Sequence, residues 1–207
     1  FSDNTTDKTA RVESWSDSSV SGVVPQDAGR YIQINDAAGN SSGIIRGTAW
    51  KEMQSAPAAL AAGAGVAYEG KVYQFGGAVG TVYADATDTA GYYDPLSDTA
   101  NEVTQMPANR MLQGSAVLND SIYVLGGVDE SSLVYPSVWC YDPAGDSWST
   151  SSSMPEPLMA LQAVSLNGTL YAIGGGVSSC TDAVYAYDPN SGTWTPKTSM
   201  NEARWYH

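Results

Sequence analysis

Histidine is nearly absent from this chain: its one copy, His207, is the last of 207 residues. A metal centre built from several imidazoles has no ligands here, and a Ser-His-Asp triad would have to recruit that single residue. Basic residues are also scarce, 9 Lys and Arg against 22 Asp and Glu, for a net charge of −13. Nucleic acid and anionic membranes need clustered cations, so neither is expected as a partner. The plain effect of the acidity is solubility. No apolar run reaches the about 18 residues of a membrane-crossing helix, so no membrane insertion is expected. There is no glycine loop ending in Gly-Lys-Ser/Thr and no EF-hand spacing. Nothing in the sequence calls for a cofactor. Cysteine occurs twice, at Cys140 and Cys180. The two could meet across neighbouring structural units as a disulfide or stand as separate thiols.

What is present is a repeat. Met53, Met106, Met154 and Met200 follow one another at 53, 48 and 46 residues. The diglycines Gly76-Gly77, Gly126-Gly127 and Gly174-Gly175 are spaced by 50 and 48. The Asp-Pro aspartates Asp94, Asp142 and Asp188 are spaced by 48 and 46. Trp148 and Trp194 each lie six residues past such an aspartate, where the first repeat has Ala100. Between the markers lie short apolar runs such as Ile122-Tyr123-Val124-Leu125, too continuous for a strand with one wet face. Each run ends in its diglycine, which is expected to leave room for an aromatic ring of the adjoining strand or unit. The Asp-Pro pairs are expected to end the third strands.

A period of about 50 residues carrying four short strands is a propeller signature. These motifs resemble the kelch repeat, a four-stranded antiparallel blade, over about residues 53–206. The resemblance implies an all-β fold, a kelch-type β-propeller that is partial or open. Full blades are expected at 53–105, 106–153 and 154–199, with the start of another at 200–207. Residues 31–52 read as a half blade, and residues 1–30 as irregular, mostly loop or weak strand. Kelch propellers usually close with six or seven blades. The sequence is therefore expected to be part of a longer polypeptide or a cleaved half, or to be completed by further copies of itself. Phe1 in place of an initiator Met fits a removed leader or a fragment.

Four sequons, at Asn4, Asn40, Asn119 and Asn167, suggest an extracellular or cell-surface glycoprotein. Asn119 and Asn167 have a second explanation, because hairpin turns want Asn for its tolerance of positive φ. The loops after the diglycines are the candidate recognition surface. They carry Tyr83, Asp85, Asp88, Asp129, Glu130, Tyr135 and Asp182. The carboxylates could hold Ca²⁺ or a sugar, or be merely solvated. Tyr83, Tyr92 and Tyr135 are candidate stacking platforms for a sugar. No catalytic or metal-ligating residue is assigned. The reading is a non-catalytic module binding protein or glycan. A carbohydrate-active enzyme of the kelch fold, with its catalytic residues outside this segment, and an extracellular filament subunit are the alternatives.

Overall fold

The structure is a computed structural model. It describes residues 60–79 and 83–207, the Tyr83 side chain excepted, and the backbone of five strands before residue 60. The chain divides into two compact units, 1–53 and 54–207. In the first, β1 (Ser2–Asp3), β4 (Tyr31–Asn35) and β5 (Ser41–Arg46) form an antiparallel sheet in the order β1-β4-β5. A separate hairpin joins β2 (Arg11–Ser16) to β3 (Ser19–Val23). The segment 1–30, read as irregular, thus holds three of these strands. Asn4 and Asn40 lie outside the described residues.

The second unit is three four-stranded antiparallel meanders. The first has β6 (Ala64–Tyr68), β7 (Lys71–Ala78), β8 (Ala86–Asp94) and β9 (Thr99–Glu102). The second has β10 (Gly114–Leu118), β11 (Ser121–Leu125), β12 (Val138–Asp142) and β13 (Ser147–Ser151). The third has β14 (Gln162–Leu166), β15 (Thr169–Ile173), β16 (Val184–Asp188) and β17 (Thr193–Pro196). No α-helix occurs among the described residues. Two-residue turns join the first strands of each sheet, and Asn119 and Asn167 adopt φ of 50° and 51° there, the region Asn tolerates.

The two faces of β11 belong to different cores. Ile122 and Val124 pack with Tyr73, Phe75, Met106 and Tyr141 against the first blade. Leu125 packs with Met154, Leu158, Leu170 and Tyr187 against the third. That is why its sequence is an unbroken apolar run: a blade between two others has no wet face. Aromatic rings fill the first interface, where Phe75, Tyr141 and Trp148 have centroids 5.0 to 5.6 Å apart. Trp148 also donates its indole N–H to the Thr104 carbonyl at 2.9 Å, and Trp194 to that of Ser152 at 2.8 Å. Each tryptophan ties an outer strand to the linker that opens its own blade.

The diglycines do a different job from the one the sequence suggests. The Gly77, Gly127 and Gly175 amides donate to the carbonyls of Arg110, Leu158 and Arg204 in the following repeat, at 2.8, 2.8 and 2.9 Å. Gly76, Gly126 and Gly174 have φ of 55°, 65° and 60°. A Cβ on any of them would collide with that same carbonyl and press on the methyl of Met106, Met154 or Met200. The space is kept for the next blade's backbone and methionine, not for an aromatic ring. Counted back from the diglycines, the counterpart of Met106 and Met154 is Ala56, so Met53 is three residues out of register.

Candidate functional site

The loops between the second and third strands leave the same end of each blade. In the second blade this loop is stiff. Asp129 Oδ1 accepts hydrogen bonds from the amides of Ser131 and Leu133, both at 2.9 Å, and Oδ2 accepts from the Tyr135 hydroxyl at 2.8 Å. Burial pushes the Asp129 carboxyl up, but those three bonds and the nearby Arg110 outweigh it and leave the group below the ordinary carboxylate range. The Tyr135 hydroxyl is raised, first by donating to Asp129. Arg110 lies underneath, 5% exposed, its guanidinium 3.6 Å from the Tyr135 ring centroid and 5.0 Å from that of Trp139. Planar stacking between two rings suits a guanidinium and not an ammonium. Burial lowers the Arg110 pKa. The sequence places Asp129, Glu130 and Tyr135 in one loop, and the structure adds Arg110 as its floor.

The second feature is the hub, where the innermost segments of successive blades meet. Ala62, Leu112, Ala160 and Tyr206 hold the same place in successive repeats, and all four have positive φ, between 55° and 60°. They are joined in series: the Leu112 amide donates to Ala62, Ala160 to Leu112, and Tyr206 to Ala160, at 2.7, 2.7 and 3.0 Å. Left-handed backbone at residues other than glycine costs roughly 1 kcal/mol or more at each position. Here it is set by the chain of bonds that spaces the blades. A cavity of about 180 Å³ lies beside this series, lined in part by Leu112, Gln113, Ala160 and Leu161. Gln113 is 6% exposed and donates through Nε2 to the Phe75 carbonyl at 2.8 Å, while its Oε1 has no hydrogen-bond partner among the described residues.

Residues 110–155 and 161–201 match the Kelch motif family. These two segments are kelch repeats. Kelch-like protein terF of Aspergillus terreus (strain NIH 2624 / FGSC A1156) is 33% identical over 118 residues, covering 55% of this chain and 25% of that protein. The solved structure of YjhT aligns with a TM-score of 0.60 at 18% identity, covering 72% of this chain and 54% of that one. At that identity the likeness speaks for the fold alone, and the fold is a kelch-type β-propeller in partial form, three blades with no closed ring among the described residues. The chain thus matches a quarter of one relative's length and about half of the other's. The described residues hold three complete four-stranded blades, of which the second and third match the Kelch motif.

The other residues singled out from the sequence are scattered. Glu130 and Asp182 are exposed in their loops. Asp85 ends a 3₁₀ turn, Tyr83–Asp85, and its carbonyl accepts the Val79 amide at 3.2 Å. Asp88 is on strand β8 and not in a loop, because the first blade's ladder continues past its diglycine to pair Gly77 with Thr87. Asp88 and Asp182 serve the fold through their carbonyls, which accept the amides of Met106 and Met200. Among the described residues no three His, Cys, Asp or Glu side chains are grouped to hold a metal ion.

The disulfide considered between Cys140 and Cys180 is not formed, and both thiols are free. Cys140 stands inside β12, opposite Tyr123. Burial first, then Cys140, through its charge and a hydrogen bond, pushes the Tyr123 hydroxyl up to about 12. Cys180 belongs to the loop beyond the end of its sheet, bridged to Gly176. The turn aspartates Asp94, Asp142 and Asp188 all accept an amide two residues on, from Leu96, Ala144 and Asn190.

Proposed function

We propose that this chain is a non-catalytic protein-binding module that docks partners on the rim formed by the loops after its diglycines. One observation carries the reading. Among the described residues, each blade presents one exposed large apolar side chain there: Val79 at 72% exposure, Leu133 at 56% and Val177 at 48%. Val79 and Val177 each lie three residues past the first glycine of their pair, and Leu133 lies farther along the longer second loop. Apolar side chains gathered on loops at one edge are what a partner buries, and a polar rim is what surrounds them. The bonds of Asp129 and the stack on Arg110 preorganise the loop that carries Leu133, which lowers the entropy cost of docking.

The choice of protein over glycan rests on the tyrosines. The Tyr135 ring is covered on one face by Arg110, and the Tyr92 ring packs against Tyr73 at 5.3 Å and under Lys71 Nζ at 4.5 Å. Each ring therefore has a face already taken by a cation of this chain. An extracellular location is part of the proposal and rests on Asn4 and Asn40, whose glycosylation an intact mass of the native protein would reveal.

The test compares partners retained by the wild-type chain with those retained by a Val79→Asp/Leu133→Asp/Val177→Asp variant. All three positions are exposed, so melting is expected to stay within about 2 °C. Partners retained by the wild type and lost from the variant are the expected result. Equal retention on both would overturn the rim as the docking surface.

A further inference from the structure

The second and third kelch blades are built on one plan, and a comparison of them exposes a notch. In the second blade Arg110 fills the space under the loop. Its amide bonds to Thr87 and its carbonyl receives the Gly77 amide. Leu158 makes the corresponding two bonds in the third blade, to the Tyr135 carbonyl and from Gly127. Thr181 takes the place of Tyr135, since the amide of each bonds to the second glycine of its own pair. The bridge that closes the loop runs from Val128 to Val134 in the second blade but from Gly176 to Cys180 in the third. The third loop is therefore two residues shorter. Arginine has become leucine, tyrosine has become threonine, and the roof is cut back.

What remains is a cavity of about 300 Å³ lined by Glu156, Leu158, Gly176, Ser179, Cys180 and Thr181 among others. Such a volume is at the small end for a ligand site and fits one long side chain. Glu156 occupies the position that is Ala108 in the second blade, two residues past the opening methionine. Its Oε1 accepts the Tyr185 hydroxyl at 2.8 Å, which fixes the carboxylate at the wall. Burial first, then that bond, pushes the Tyr185 hydroxyl up to about 12. The space that holds a guanidinium in one blade is empty of one in the next, and a carboxylate has been added beside it.

We propose that this notch receives an arginine side chain presented by a protein partner, an inference that rests on the protein-binding reading above. Leu158 offers an apolar floor for the aliphatic stem. Glu156 offers the planar acceptor that a guanidinium engages and an ammonium does not match. A chain of net charge −13 attracts a basic segment from a distance.

The test uses the 207-residue chain, labelled with ¹⁵N and titrated with the peptides acetyl-Gly-Arg-Gly-amide and acetyl-Gly-Lys-Gly-amide. The arginine peptide is expected to shift the amides of Leu158 and Gly176 to Thr181, and to bind at least about fivefold tighter than the lysine peptide. Glu156→Gln is expected to weaken it by a similar factor, and Leu158→Arg, which installs the second blade's residue, to abolish it. Equal binding of the two peptides, shifts centred elsewhere, or indifference to Glu156→Gln would overturn the proposal. Should Leu158→Arg fail to fold, the peptide comparison and Glu156→Gln still decide. Should partners depend on Val79, Leu133 and Val177 but not on Glu156, the protein-binding reading stands and the arginine notch falls.

Discussion

The Gly127 amide donates to the carbonyl of Leu158 at 2.8 Å, across the boundary between two blades. The bond forms only because Gly126, with φ of 65°, brings the turn so close that a Cβ there would strike the same carbonyl. Gly126→Ala is therefore expected to cost about 3 kcal/mol or more, from left-handed strain plus a broken interface. Gly168 also has positive φ, at 76°, but among the described residues a Cβ there meets nothing within 4 Å. Gly168→Ala should cost only the strain, about 1 kcal/mol. Denaturant unfolding of the two variants measures the difference. Equal losses would show that backbone conformation alone, not blade contact, keeps the diglycine.

The two outer faces of the repeats make the second comparison. Ala116 and Leu118 on β10 are 5% and 4% exposed, buried by the third blade. Their counterparts on β14, Val164 and Leu166, are 38% and 60% exposed. Leu118→Ala should cost about 2–5 kcal/mol, the range for a buried leucine. Leu166→Ala should stay within about 0.5 kcal/mol in a monomer. A larger loss at Leu166 that grows with protein concentration would mean that a second copy covers this face. Denaturant titration at two concentrations, beside sedimentation equilibrium, separates the cases.

The fold was legible because its markers depend on side-chain identity. Asp142 accepts the Ala144 amide at a turn, Trp148 reaches the Thr104 carbonyl, and Ile122 and Tyr123 face two cores. Each demands a residue type, so each recurs. The site was less legible because much of it is made by backbone. Arg110, Leu158 and Arg204 all receive a glycine amide through their carbonyls, and no residue type is needed for that. Ala62, Leu112, Ala160 and Tyr206 take left-handed φ with no glycine to announce it. Asp88 and Asp182 drew attention as carboxylates but give the fold their carbonyls. The stack of Arg110 on Tyr135 joins residues 25 apart and follows from no local pattern.

Acid should destabilise the turns through their aspartates. Asp146 Oδ1 accepts the Thr104 amide at 2.8 Å and the Tyr141 hydroxyl at 2.7 Å, and these bonds hold its carboxyl below the ordinary range. Asp94 and Asp188 are lowered chiefly by the amides of Leu96 and Asn190. A carboxyl whose folded value is depressed stabilises fully above its unfolded value, near about 4, and loses that as pH falls through the folded value. Loss of charge repulsion on acidification works the other way in a chain this acidic. The difference between wild type and Asp146→Asn isolates the carboxylate, and Asn tolerates the φ of 45° at that position. The variant should be less stable at pH 7 and converge on wild type between pH 4 and pH 2. A constant difference across that window, read from denaturant midpoints, would show that the charge on Asp146 contributes nothing.

Arg110 is the sharpest single test of the stiff loop. It is buried, and among the described residues it makes no carboxylate contact of the salt-bridge kind. It is held by the faces of Tyr135 and Trp139, by a hydrogen bond that Nη1 donates to the Asn109 carbonyl at 2.7 Å, and by the nearby charges of Asp129 and Glu130. Lysine keeps the charge but loses the plane, and an ammonium is more strongly hydrated and costs more to bury. Arg110→Lys is therefore expected to destabilise the chain by about 2 kcal/mol. The damage should centre on the loop above it, because the Tyr135 hydroxyl must remain in place for its bond to Asp129. Amide exchange of Ser131 and Leu133, both bonded to Asp129, should accelerate more than that of Val164 in the third blade. Arg110→Leu, the residue the third blade carries at the same place, removes the buried charge as well and should be the milder change. If the lysine variant matches wild type in stability and exchange, the rings are neighbours of the guanidinium and not its support.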